Sequence, residues 1–368
     1  MVLSLVFFEV ALRGYDAARK FLAPDTAAQS PPVPLHLAND SPVLYALNPE
    51  HPDISSQGLR DDEAIIPKSA GTFRILVLGD SVAYGSSVPR GDTFSNRLER
   101  RLREQAGAVE VINAGVMGYT PYNELQYYLS GGKEFGADLV VIAFCMNDVA
   151  NPRLHWGDAP GVKIPPEAIP NQEYDREHVL PRVRELEEEK ARPQSPGAGA
   201  ARLLRHSRLY RALGPSVERV LRGKPKNFAD TGARVPTYIT GEDTLGIEVL
   251  LDRNTPEWRW LASIYDRLNE AVRGNGATMV IAVFPLVYQL DEGYPFFPQE
   301  RISEYCRERS IPCLDLLPVF KSQRKEDIFV LDKEGHDDIW HLTDAGHALS
   351  AEEIQKFLRE QGLLPVEK

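Results

Sequence analysis

Cysteine is scarce in this chain. Its 368 residues hold three, Cys145, Cys306 and Cys313, an odd number with no Cys-x-x-Cys spacing. That excludes a disulfide framework and argues against a zinc knuckle. A single bond between Cys306 and Cys313 would need an oxidising compartment, and buried free thiols are the simpler reading. Positive charge is also in deficit: 42 Lys and Arg stand against 53 Asp and Glu, a net charge of −11. Nucleic-acid binding needs clustered cations, so this balance argues against such a partner. No heptad pattern or short-period repeat is present, which argues against coiled coils and solenoids. Long apolar runs are missing as well. The N-terminal stretch Val2-Leu3-Ser4-Leu5-Val6-Phe7-Phe8 continues through Glu9 to Val10-Ala11-Leu12, short of the ~20 residues that span a bilayer. It has neither the basic start nor the small-residue cleavage site of a signal peptide. Two readings stay open: the end of a truncated membrane anchor, or an amphipathic helix packed on the body of the protein.

What the chain does have is apolar content, 43% of residues, enough for one large domain or two small ones. Residues 23–42 are rich in Pro, Ala and Ser and read as a linker. Residues 48–68 are polar with a few apolar anchors and read as a loop lying on the core. Apolar runs rich in β-forming residues predict buried strands at 74–78, 109–113, 138–144, 278–284 and 311–316. Phe94, Leu98 and Leu102 at helical spacing predict an amphipathic helix over 93–105. Further helices are expected over 122–129 and 343–361, the last with Thr343 as its cap. Strands that are apolar throughout, alternating with helices, indicate a parallel sheet covered on both faces.

In such sheets ligands bind at the carboxyl ends of the strands. Gly79-Asp80-Ser81 follows the first strand, Asn113-Ala114-Gly115-Val116-Met117-Gly118 the second, and Cys145-Met146-Asn147-Asp148 the third. Asp338-Ile339-Trp340-His341 is expected in a loop just before the last helix. Each motif alone is weak, because glycines and Asn-Asp pairs after strands usually serve turns. Their joint occurrence, in order and at strand ends, is what carries information. A serine hydroxyl becomes a good nucleophile only when a base removes its proton and a third group fixes that base. Ser81, His341 and Asp338 can fill these three roles.

Taken together, Gly79-Asp80-Ser81, the glycine loop ending at Gly118, Asn147 and the Asp338/His341 pair resemble the four blocks of the SGNH (GDSL-type) hydrolases. The likeness covers about residues 72–151 and 279–357. It implies a flavodoxin-like three-layer α/β/α sandwich, a central parallel sheet of order 2-1-3-4-5, and ester hydrolysis or acyl transfer by serine. It also implies an oxyanion hole made of the Ser81 and Gly118 backbone N–H groups and the Asn147 amide, with Gly115 as the rival to Gly118. The apolar N-terminus, followed by Gln57-Gly58-Leu59-Arg60-Asp61, resembles bacterial members with an N-terminal membrane anchor, which favours the truncated-anchor reading.

Several neighbours keep plain readings. Asp80 is expected to bond local backbone. His336, Asp337, Asp338 and His341 could be taken for metal ligands, but two of them already have roles, and no metal is expected. His347 reads as a packing residue and Cys145 as a buried, inert thiol. The resemblance departs at Cys145, where the family prefers glycine, and in the long stretch after the third strand. That stretch includes a short basic helix (Arg202, Arg205, Arg208, Arg211) whose Leu203, Leu204, Leu209, Tyr210 and Leu213 read better as core than as the lining of an acyl pocket or a membrane face.

The expected organisation is therefore an N-terminal segment, linker and loop over 1–70, a first core part over 71–150, an insertion over 151–253 forming a lid or substrate wall, and a second core part over 254–368. The expected activity is that of a serine esterase acting on an O-acyl carbohydrate or lipid through an acyl-enzyme, with no cofactor. The alternatives are an O-acyltransferase acting on a polysaccharide, and a non-catalytic binding protein on the same fold. The expected partners are a small-molecule, glycan or lipid ester and, through the N-terminus, a membrane. The expected location is extracytoplasmic or membrane-anchored in a bacterium, with a soluble cytoplasmic protein as the alternative.

Overall fold

The computed structural model describes residues 35–37, 43, 45–145, 148, 256–290, 298–331 and 337–365. The first described element is an antiparallel hairpin, β1 (Leu35–Leu37) with β2 (Tyr45–Leu47). The core then runs β3 (Phe73–Gly79), α1 (Ser81–Tyr84), α2 (Phe94–Ala106), β4 (Val109–Asn113), α3 (Pro121–Ser130), β5 (Leu139–Phe144), α4 (Pro256–Gly274), β6 (Thr278–Val283), α5 (Gln299–Glu308) and β7 (Cys313–Asp315). It closes with α6 (Leu317–Lys321), α7 (Lys325–Ile328), a second hairpin of β8 (Phe329–Leu331) and β9 (Asp337–Leu342), and α8 (Asp344–Glu360).

Five strands form one parallel sheet in the order β4-β3-β5-β6-β7. Counted within the sheet this is 2-1-3-4-5, the expected order. Topology then fixes the layers. Parallel crossovers are right-handed, and the step from β3 to β4 runs opposite to the steps from β4 through β5 and β6 to β7. Helix α2 therefore covers one face, and α3, α4 and α5 cover the other. The packing agrees, because α2 lies against α8 and α3 against α4. All six residues of β5 are buried, as are six of the seven in β3, so neither strand alternates as a half-exposed strand would. Each Val, Leu or Ile buried this way contributes about 1.5–3 kcal/mol.

The loop over 48–68 lies on the core as expected. Ile54 joins Val43, Tyr45, Leu47, Tyr84, Val116 and Tyr119 in a smaller apolar cluster next to the main one. Two expectations are corrected. The fifth strand is shorter than 311–316, because Pro312 has no N–H to give to the ladder and Leu316 already has helical geometry leading into α6. Asp338 and His341 do not lie in a loop. They belong to β9, whose ladder with β8 pairs Phe329 with Leu342 and Leu331 with Asp337. The insertion expected over 151–253, the N-terminal 1–34 and Asn147 lie outside the described residues. Among the described residues no helix is long and apolar enough to cross a membrane.

Candidate active site

Gly79 ends β3 where Ala83 and Ala143 press close. A Cβ built on it would sit 2.8 Å from the Ala83 Cβ and 3.1 Å from the Ala143 carbonyl oxygen. The chain then turns sharply into the one-turn helix α1. Asp80 caps that helix, its Oδ1 accepting from the Val82 N–H at 2.8 Å, so the expected local role of Asp80 is observed. Ser81 occupies the first helical position, where the backbone N–H has no intrahelical acceptor.

A four-residue helix does not hold itself together, and the surrounding chain clamps it from two sides. Arg60, buried, donates from one guanidinium nitrogen to the carbonyls of Tyr84 and Gly85, at 2.7 Å each, and from another to Val88 O at 2.8 Å. Its guanidinium also lies 4.4 Å from the centre of the Tyr84 ring. The orphan carbonyls at the end of α1 are thereby satisfied by a cation, the favourable charge at a helix C-terminus. On the other side Asn113 donates from its amide to Ala83 O at 2.9 Å and accepts from Gly115 N–H at 3.0 Å. The Asn113 backbone N–H donates to Asp61 Oδ2 at 2.8 Å, and burial pushes the Asp61 carboxyl up to about 6 despite that bond.

His341 reaches this turn from β9. Its Nε2 lies 2.8 Å from Ser81 Oγ. The same hydroxyl has a second, longer contact with Asp80 Oδ2 at 3.4 Å, so the imidazole is the better acceptor for its proton. Acceptance at Nε2 puts the ring proton on Nδ1, an assignment made from the geometry. Next to it the Ser87 hydroxyl donates to Leu342 O and Thr343 N–H donates to Ile328 O at 2.8 Å, which fixes the end of β9. The backbone places Asp338 three residues earlier in the same strand.

Gly115 and Gly118 differ in what their N–H groups meet. The Gly115 N–H is spent on Asn113, and a Cβ at Gly115 would lie 2.4 Å from the Tyr84 backbone nitrogen. That glycine serves close packing against α1. Gly118 has φ +73°, and among the described residues its N–H has no acceptor. The structure thus brings Ser81, His341 and the Gly118 loop to one edge of the sheet. Asn147 falls outside the described residues. Asp148, the next described residue after Cys145, closes back on it: its Oδ2 accepts from Cys145 N–H at 2.8 Å and its N–H donates to Cys145 O at 3.0 Å.

The neighbours with plain readings behave accordingly. Cys145 is buried and in no disulfide. His347 is buried, its Nδ1 accepts from the Phe94 N–H at 3.2 Å, and burial with the nearby Arg97 pushes it down to about 3, so it stays neutral. Arg60, Asp61 and Asn113 are the supporting residues whose roles the sequence did not reveal. Their roles depend on contacts between segments 20 or more residues apart, which no local pattern records.

The sequence profile of the GDSL-like lipase/acylhydrolase family matches residues 77–349. The chain belongs to this family. It is accordingly an ester-hydrolysing enzyme of the GDSL type. No curated protein sequence matches it. Among solved structures it is similar to an esterase, EstA, from Pseudoalteromonas sp. (10% identity, 79% of this chain and 99% of that one, TM-score 0.39). It is also similar to the acetyl xylan esterase AlAXEase (12% identity, 77% and 98%, TM-score 0.40). A third is a G-D-S-L family protein from Desulfitobacterium hafniense DCB-2 (12% identity, 78% and 100%, TM-score 0.38). Likenesses this distant carry no information on substrate.

Proposed function

We propose that this GDSL-type hydrolase cleaves a carboxylic ester of an O-acyl carbohydrate or lipid, through an acyl-enzyme formed on Ser81. The observation that carries the reading is the 2.8 Å contact between Ser81 Oγ and His341 Nε2, which joins residues 260 positions apart. In this scheme His341 takes the hydroxyl proton as Oγ attacks the acyl carbonyl carbon. Negative charge then develops on the carbonyl oxygen. The N–H groups of Ser81 and Gly118 and the amide of Asn147 are the donors assigned to it, each worth on the order of 10²–10³ in rate. The intermediate collapses, and the leaving alcohol takes the proton from His341. Water, deprotonated by the same imidazole, then hydrolyses the acyl-enzyme. Asp338 is assigned to orient His341 and to stabilise its charged form. The half-buried setting of Ser81 suits this task, since an acyl group can reach it while solvent on the opposite side is excluded.

Hydrolysis of p-nitrophenyl esters from acetate to octanoate, with wild type beside Ser81→Ala, tests the proposal. Activity confined to the wild type is the expected result, and the chain-length profile then reports an acetyl-sized or a lipid-sized acyl pocket. Equal turnover by Ser81→Ala would refute the assignment.

A further inference from the structure

Glu124 sits in the first turn of α3, where an acidic residue normally faces water and the positive end of the helix dipole. Here it is fully buried, 0% exposed, as is Asp148, and Tyr265 on α4 is 1% exposed. Both carboxyl oxygens of Glu124, Oδ1 of Asp148 and the Tyr265 hydroxyl have no hydrogen-bond partner among the described residues. Buried polar groups in folded proteins are almost always paired, so four such atoms in one region need an explanation. They belong together. The charges of Glu124 and Asp80 both act on Asp148, Asp80 acts on Glu124, and Glu124 and Asp148 both act on Tyr265. The other groups facing this tyrosine are Tyr305 and Cys306. Asp80, the third carboxyl, immediately precedes the nucleophile and caps its helix.

We propose that Glu124 is a positioning residue for the reaction, its carboxyl group tying Asp148 and Tyr265 together behind the Ser81 turn. The proposal rests on the reading of Ser81 as nucleophile. A count of donors and acceptors shows how the tie is made. With one proton on the Glu124/Asp148 pair, the orphaned atoms become two donors, the Glu124 O–H and the Tyr265 O–H. They also become two acceptors, the Glu124 C=O and Asp148 Oδ1. The numbers then match, and because the Tyr265 hydroxyl is within hydrogen-bond reach of neither carboxyl, a buried water completes the set. With both carboxyls ionised, three acceptors face a single donor, and two like charges lie buried beside Asp80. Asp148 already accepts from the Cys145 N–H, a bond that favours its charged form. Burial first, and then the charges of Glu124 and Asp80, push the Asp148 carboxyl well above its usual range despite that bond, and burial and then Asp80 push Glu124 up to about 8, so the buried pair keeps a proton. Through Asp148 the tie reaches the turn after β5, and through α3 it reaches the Gly118 loop. Both are segments from which the proposed oxyanion donors come.

The test compares the full-length wild type with Glu124→Gln and Glu124→Ala, following kcat, KM, Ser81 labelling by a fluorophosphonate, and melting temperature against pH. Glutamine keeps one acceptor and supplies permanent N–H donors. It should hold kcat within about threefold, whereas alanine strands Asp148 and should lower kcat by about tenfold or more with little change in KM. The folded state keeps a proton that the unfolded chain releases near pH 4.3. The wild type's stability relative to Glu124→Gln is therefore full below that pH, falls as pH rises towards about 8, and is flat beyond. Wild-type kcat in Glu124→Ala, or parallel melting curves for wild type and Glu124→Gln, would overturn the proposal. If the alanine variant does not fold, the glutamine comparison decides alone. Absence of Ser81 labelling in the wild type would refute the nucleophile assignment and leave the pH comparison to judge the Glu124 tie on its own.

Discussion

His341→Ala lowers kcat on every ester by about 10⁴–10⁶-fold while leaving the protein folded. The size of the loss follows from the site. Ser81 Oγ has two acceptors within reach, the His341 imidazole at 2.8 Å and Asp80 Oδ2 at 3.4 Å. Asp80 cannot replace the base. Its carboxylate is engaged with the Val82 N–H as a helix cap, and an aspartate is a far weaker base than imidazole at neutral pH. Stability should change little, because His341 is only partly buried and the end of β9 is held by the Ser87 and Thr343 bonds. Steady-state kinetics together with a thermal melt check both halves. Loss of folding along with activity would make His341 a structural residue, and retained turnover would remove it from the mechanism.

Gly115→Ala is expected to cost about 1–3 kcal/mol of stability and about 10²-fold in turnover. The added methyl would lie 2.4 Å from the Tyr84 nitrogen, 2.6 Å from the Ala83 Cβ and 2.7 Å from the Ala83 carbonyl carbon. Two of these are backbone atoms, so no side-chain rotation relieves the clash. Either α1 moves, taking Ser81 with it, or the Asn113 clamp on Ala83 O lengthens. Both displace the nucleophile from His341. Chemical denaturation and kinetics on one activated ester measure the two effects. A variant that keeps wild-type kcat would show that α1 tolerates a shift, and that the close approach at Gly115 does not fix Ser81.

Much of the frame was legible in the sequence, for definite reasons. The runs ending at Leu78, Asn113 and Phe144 are short, apolar and followed by turn residues, a pattern that a strand buried on both faces imposes. The spacing of Phe94, Leu98 and Leu102 is that of one helix face. The approach of His341 to Ser81 was legible from the joint occurrence of their two motifs in order. The β8–β9 hairpin was not. Asp337 and Asp338 are poor strand formers, and what makes β9 a strand is its pairing with Phe329–Leu331. The bond from the Gly115 N–H to the Asn113 side chain was equally hidden. Helix α1 is too short for periodicity to register, and its stability comes from Arg60, 21 residues before its first residue. Glu124 at a helix start reads as a surface charge, and only the packing of α3 against α4 and the sheet buries it.

The central claim is that Ser81, activated by His341, is the atom that accepts the acyl group. The most direct test is intact-mass analysis after reaction with a fluorophosphonate, on wild type, Ser81→Ala and His341→Ala. One adduct per chain is expected on the wild type, mapping to Ser81, with none on Ser81→Ala and a much slower reaction on His341→Ala. An adduct on another residue, or equal labelling of wild type and Ser81→Ala, would contradict it.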